Sequence, residues 1–328
     1  MTLALLLLVS CAGRPAPLAP AATQSPQGLD SELATRGSAA ERTVRTPASL
    51  VVLYSAEEGG SLVPCGCDKK PMGGLARAGA YVQALRAANP ELPVLALNAG
   101  GWLDPGRALD GGTRPEAAVR NRWMGQGLVG LGFAGLNLAA SDMAGLPPDQ
   151  VEQLPLLSSS VAHPGVEGSR ILDAGELRVG VVGIAAPGPA WMAPPGWTVP
   201  DAGQAAASIA ALRPQVDLLI LLAHDSSDAA RQLALDGGID LVIEADDYRE
   251  QWPPFRVGEA LWVRAHGQGT RLGELRLVLD QGRITKALDR TIVLDEGIDE
   301  EPAMRALVRQ AEAEAVDVER ATYGRPLR

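Results

Sequence analysis

Two of the chain's three cysteines stand one residue apart, in the stretch SLVPCGCDKKPMGGLAR at 61–77. Residues i and i+2 of an extended segment point to one side, so the Cys65 and Cys67 sulfurs can converge. Pro64 and Gly66 bend the loop, which is equally compatible with convergence. Lys69, Lys70 and a helix beginning near Gly74 all favour a thiolate, by charge and by helix dipole. Three readings of this loop stay open. A Cys65–Cys67 disulfide closes so short a ring that it is strained and easily reduced, which makes the two a redox pair. A soft-metal site takes both sulfurs with His224 and a carboxylate from Glu57 or Asp246; such mixed nitrogen and sulfur ligation suits one zinc or copper ion. The third reading is a surface turn with two inert thiols.

A second group of polar residues gathers at the ends of apolar runs. His224 and Asp225 close VDLLILLAHD (216–225), Asp246 and Asp247 close IDLVIEADD (239–247), Gly100 and Gly101 follow VLALN, and Asp142 ends FAGLNLAASD (133–142). In open α/β sheets, ligands bind at the C-terminal strand edge. His163, in a loop before Pro164, and His266, in a turn, are expected at the surface. Trp102, beside Gly101, is expected to wall the cleft. Trp191, Trp197 and Trp252 lie in proline-rich loops suited to a lid or a partner surface.

The elements that must position these residues alternate in type. LVVLYS (50–55) and VLALNAGG (94–101) are apolar strands, and LARAGAYVQALRAA between them has helical spacing at Leu75, Ala78, Val82 and Leu85. A helix is predicted over 115–130 and another over 227–236, with a hairpin over 169–186 turning at Ala174-Gly175. ALWVRAHG, LGELRLVLD and RITKALDRTIVL are predicted as consecutive antiparallel strands. A last amphipathic helix is predicted from Asp299.

The ends and the composition set the context. An apolar run from Leu3 to Val9 is too short to span a bilayer and stops at Ser10-Cys11. Residues 1–10 therefore read as a lipoprotein signal peptide, with Cys11 lipidated and holding the chain to a membrane. That implies the bacterial cell envelope, lipid-anchored at an outer membrane and facing the periplasm, with an envelope protein as partner. Residues 11–47, rich in Ala, Pro, Gly, Ser and Thr, read as a flexible tether. Residues 48–298 form the domain and 299–328 a C-terminal helix. A net charge of −10 argues against a nucleic-acid surface.

Taken together, Leu50 to Leu294 resembles the calcineurin-like metallophosphoesterases, above all the N-terminal domain of periplasmic 5′-nucleotidases. LYSAEEGGSLVP (53–64) resembles the family's strand followed by Asp-x-His. GGLAR (73–77) is similar to its Gly-Gly-x-x-Arg helix start, and LNAGGW (97–102) to its Gly-Asp-Trp strand end. LGFAGLNLAASD looks like the segment ending in Gly-Asn-His-Glu, and GGIDLVIEADDY like the strand ending in Gly-His-x-His. The resemblance implies a four-layer α/β/β/α sandwich. It also implies two metal ions that clamp a phosphate and activate water.

The ligand positions depart from that pattern. Glu57 stands for the first Asp and Gly59 for its His; Gly101 replaces the bridging Asp, and Ala140 and Ser141 replace the Asn and His. Of the last two histidines, one is Asp246 and the other Tyr248, and His224 alone stands as the pattern requires. Two dications held close together repel, and an anionic bridge offsets that repulsion. The expectation is a non-hydrolytic binding or redox-related module using the Cys-Gly-Cys loop. The alternative is a divergent metal-dependent phosphohydrolase built on Glu57, Asp142, His224, Asp246 and Asp247.

Overall fold

A computed structural model describes residues 28–65, 70–107, 112, 114–189, 192, 194, 196–198, 203–245 and 253–326. Two sheets pack face to face, with helices on both outer surfaces. The first sheet has the order β1-β13-β12-β2-β3-β4-β5. Its strands are β1 (Leu29–Ala34), β2 (Leu50–Ser55), β3 (Val94–Asn98), β4 (Phe133–Asn137), β5 (Leu156–Leu157), β12 (Arg271–Asp280) and β13 (Arg283–Val293). The second has the order β10-β11-β9-β8-β7-β6. It is built from β6 (Ser169–Ala174), β7 (Leu177–Ala185), β8 (Leu218–His224), β9 (Leu241–Ala245), β10 (Phe255–Val257) and β11 (Ala260–Arg264).

The helices of the first layer are α1 (Ala39–Arg42), α2 (Leu75–Ala88), α3 (Pro115–Gly130), α4 (Ala140–Gly145) and α7 (Pro302–Tyr323); α5 (Gly203–Leu212) and α6 (Ser227–Asp236) cover the other side. Strands β7, β8 and β9 run parallel and are apolar on both faces, as strands sandwiched between sheet and helices must be. The four-layer architecture is the one the resemblance implied.

Two expectations are corrected. ALWVRAHG does not join the antiparallel run that follows it: β11 lies in the second sheet, parallel to β9 and antiparallel to β10. Its Ala260–Val263 core is buried on both faces, which suits a covered parallel neighbour better than a meander strand. Only β12 and β13 form the antiparallel pair in the first sheet. The tether read over 11–47 ends earlier than its composition implied. β1 pairs parallel with β13 with Leu29 and Ala34 buried, and Ser38 caps α1 in a reciprocal box with Glu41. Scarcity of large apolar residues says little about a strand whose hold comes from backbone ladder bonds. Residues 1–27, with Cys11, lie outside the described residues.

A buried ionic cluster ties the first sheet to α2. Glu274 in β12 is fully buried and accepts from Tyr81 of α2, from Arg276 Nη1 at 2.9 Å and from Arg290 Nη1 at 2.8 Å. Arg290 also donates to the Arg42 carbonyl at 2.7 Å, fixing the end of α1. On the opposite face, Tyr54 donates to Asp289 Oδ1 at 2.6 Å, and burial pushes that carboxyl up to about 7. The Tyr54 ring fills the space where a Cβ on the facing Gly273 would stand, 2.0 Å from it. Removing one partner of a buried charge cluster leaves the others uncompensated. Glu274→Ala is expected to lower the unfolding free energy by about 3–5 kcal/mol, measured by urea denaturation.

Candidate functional site

The C-terminal ends of β2, β3 and β8 meet at one point. After β2 the chain turns at Glu57, whose positive φ of 58° is costly for a side-chain-bearing residue. Its amide donates to the Gly100 carbonyl at 2.9 Å, and its carbonyl accepts from Gln268 at 2.7 Å. The amides of Gly59 and Gly60 continue the lacing onto the carbonyls of Gly101 and Trp102, each at 2.9 Å. Backbone bonds on both sides thus hold Glu57 in its conformation and aim its carboxylate across the strand ends.

That carboxylate is hydrogen-bonded to His224 Nε2 at the end of β8. The other ring nitrogen lies 3.5 Å from Asp225 Oδ2, and Asp225 also has a positive φ, 47°. Burial opposes charge on the imidazole, but Glu57, with Asp225 and Asp142 behind it, more than offsets this, and His224 titrates above its usual 6.5.

The glycines beside this pair are favoured by backbone conformation and by close neighbours. A Cβ on Gly101 would stand 2.5 Å from the Glu57 carboxyl carbon, and one on Gly100 would stand 2.9 Å from the His224 ring; both glycines also have positive φ. The position where the resemblance calls for a bridging aspartate is thus filled by the carboxylate of Glu57.

Asp142 is also close by, in a different role from the one its place in the sequence implied. It lies in the first turn of α4, fully buried, and accepts from the amides of Gly101, Leu103 and Ala139, each at 2.7 Å. Burial pushes its carboxyl up to about 7, against the pull of those three amides and of His224. It holds the glycine loop in shape and presents no open oxygen to a ligand.

Glu58 is a site residue that the sequence reading missed. It is buried and accepts from Asn98 Nδ2 at 2.9 and 3.1 Å; the same amide group donates to Ser55 Oγ at 2.9 Å, while Asn98 Oδ1 accepts from Gly100. Desolvation and the neighbouring Glu57 raise its pKa, while the Ser55 and Asn98 hydrogen bonds pull it down. The adjacent acids in AEEGG were the available signal, since one of two neighbouring carboxylates at a strand end must turn inward.

The cysteine loop reaches this site through one turn. Cys65 N donates to the Met72 carbonyl at 2.8 Å and the Met72 amide donates to Cys65 Sγ at 3.3 Å, which pinches the loop at its base. Gly73 packs on Gly269, and Gly269 in turn packs on Glu58. The turn 267–270 therefore touches both the loop base and the carboxylate pair. Cys67, Lys69, Asp246, Asp247 and Tyr248 lie outside the described residues, as do Trp191 and Trp252.

Two further residues are placed differently from expectation, while His163 lies in a loop as expected. Trp102 is buried in the core, its Nε1 donating to the Asn137 carbonyl at 3.0 Å, and does not wall a cleft. His266 is buried, 3.2 Å from Thr291 Oγ1 and 3.3 Å from Arg271, and burial pushes its pKa down to about 4. A turn residue is drawn inward here because β11 and β12 belong to different sheets and the turn passes between them. His163 stacks on Trp197, ring centroids 4.4 Å apart.

No family model and no curated protein sequence matches the chain. Solved structures do match. The sulfate thiohydrolase SoxB of Thermus thermophilus is 16% identical with a TM-score of 0.69, over 84% of this chain and 62% of that one. A 5′-nucleotidase precursor from Thermus thermophilus is 17% identical with a TM-score of 0.65, over 83% and 59%. The calcineurin-like phosphoesterase YfkN of Bacillus subtilis is 16% identical with a TM-score of 0.61, over 84% of this chain and 100% of that one. The fold is that of the calcineurin-like phosphoesterases. The chain spans about three fifths of the first two proteins.

A phosphoesterase-like fold raises the question of a two-cation centre, and the described residues do not fit one. Among them, no group of three or more His, Cys, Asp or Glu converges to hold a metal ion. Glu57 and His224 hold each other, Asp142 is taken by backbone amides, and position 101 has no side chain.

Two outcomes follow from this geometry. Gly101→Ala is expected to cost about 1–3 kcal/mol. In a Glu57→Gly background the cost shrinks without vanishing, because the clash goes while the positive φ remains; urea denaturation of the four chains measures the coupling. The second outcome concerns pH. A folded-state pKa above 6.5 means that the stabilisation from charged His224 is complete below the unfolded imidazole's 6.5 and is lost as pH rises through the folded value. The stability difference between the native chain and His224→Gln is therefore expected to be largest in mild acid and to shrink as pH rises, with Asp142 titrating in both chains.

Proposed function

We propose that the chain is a non-hydrolytic binding or redox-related module of the bacterial envelope, built on a phosphoesterase-like scaffold and working through the Cys65–Cys67 loop and the strand ends beside it. One observation carries this reading: the Glu57 carboxylate, bonded to His224, stands where any side chain at position 101 would have to lie. A hydrolase of this fold needs cations at that place, and the described groups there are engaged with one another. The single turn shared by the cysteine loop and Glu57 supports treating the two as one functional region. In this reading Cys11 is lipidated and anchors the chain to the outer membrane, facing the periplasm, where another envelope protein is its partner.

A second reading is a divergent phosphohydrolase with a site on Glu57, His224, Asp246 and Asp247. It is favoured by the meeting of Glu57 and His224 at the sheet edge where ligands of α/β folds bind. Purified chain incubated with p-nitrophenyl phosphate or nucleoside monophosphates and Mn²⁺ or Zn²⁺ is expected to show no turnover above background. Turnover abolished by His224→Ala would establish the hydrolase instead. Elemental analysis of protein prepared without chelators, with Cys65→Ser as comparison, and thiol counting with and without reductant separate a zinc or copper ion from a disulfide.

A further inference from the structure

The base of the cysteine loop has a second surface, which the strand-end site does not use. Between the start of α2 and the first turns of α7 lies a groove of about 200 Å³, with Val63, Pro64 and Val308 on its wall and Arg77, Arg305 and Arg309 around it. Val63 is 43% exposed, one of few large apolar side chains left in water. The groove is therefore apolar in its trough and cationic at its margin.

The three arginines are held differently. Arg77 donates from Nη1 to the carbonyls of Pro71 at 2.7 Å and Leu294 at 3.3 Å, while its buried Nε has no partner. Arg305 and Arg309 are exposed and stand four apart on α7, a like-charge spacing that disfavours the helix. The acids of the same helix face elsewhere. Glu312 and Glu319 pair with Arg120 of α3 at 3.0 and 3.1 Å, and Glu314 holds Arg122 and Trp123. Glu301 caps the helix through the amides of Ala303 and Met304. Glu300 is the one carboxylate among the groove's described lining residues. A chain of net charge −10 thus gathers three guanidiniums at one trough and turns most neighbouring acids away from it.

We propose that this groove docks an acidic, partly apolar segment of a partner polypeptide, which places the partner beside Pro64 and Cys65 at the base of the cysteine loop. Guanidinium forks take carboxylates in bidentate pairs, and the apolar wall takes the alternate side chains of an extended segment. A free phosphate would satisfy the arginines but leave the exposed Val63 in water. An anionic bilayer asks for a broad cationic face, which three arginines around one trough do not make. Pro64 directly precedes Cys65, and Gly73 and Gly74 follow the loop and line the groove, so groove and loop share a wall. The inference does not depend on whether the strand ends hydrolyse anything.

The test uses the full chain with labelled valine methyl groups. Four probes are titrated: a peptide of alternating leucine and glutamate, its leucine and lysine counterpart, inorganic phosphate, and phosphatidylglycerol vesicles. The acidic peptide is expected to shift the Val63 and Val308 methyl resonances. Its affinity should fall by about tenfold or more in the double variant Arg305→Glu/Arg309→Glu, as for reversal of interface charges. It should also fall in Val63→Asp and hold in Arg320→Glu, which alters an exposed arginine of the same helix outside the groove. No methyl shift, an equal loss in Arg320→Glu, or an equal response to phosphate or to the lysine peptide would overturn the proposal. Vesicle binding that the double variant abolishes would assign the groove to lipid and overturn it as well.

Discussion

One volume at the strand ends organises the residues around it, and the carboxylate of Glu57 fills it. A Cβ at position 101 would stand 2.5 Å from that carboxylate, and His224 is turned to face it. Everything nearby serves this arrangement. The Gln268 amide and the Gly100 carbonyl hold Glu57 in its left-handed conformation, and Asp142 braces the glycine loop from below through three amides. Two residues with positive φ, Glu57 and Asp225, flank a single imidazole. Strain of this kind persists only where surrounding structure over-determines it, and here the lacing of 57–60 onto 100–102 supplies that determination.

The same lacing makes the strand ends one connected arrangement. The Glu57 carboxylate, from the end of the neighbouring strand, occupies the space beside Gly101 and meets His224. Glu58, next along, turns inward to Asn98 and Ser55, so the pair of acids divides between an open edge and a buried polar network.

Much of the scaffold was legible in the sequence because its signals are local and repeated. The apolar runs at 50–55 and 218–224 could only be covered strands, and the helices over 115–130 and 227–236 have the expected limits. What could not be read was long-range placement. β11 has the same composition whether it sits beside β12 or beside β9, and β1 is held by ladder bonds that carry no compositional mark. At the site, the type of Asp142 suggested a ligand while its burial under three amides made it a brace. The resemblance marked Gly101 as a vacated position, but only packing disclosed that Glu57 fills it. His266 looked like a turn residue because the crossing between sheets is not written in its neighbours.

The pairing of β1 with β13 has a consequence for life at high concentration. Without Leu29–Ala34, the first sheet would end at β13, an eleven-residue strand with a row of open amides and carbonyls. Such an edge templates the addition of another chain, and proteins guard against it. β1 closes that edge with a shorter strand whose middle residues, Asp30 to Leu33, are all solvent-facing and include two acids. The segment that composition marked as a mere lead-in thus shortens the open edge and sets two acids along it.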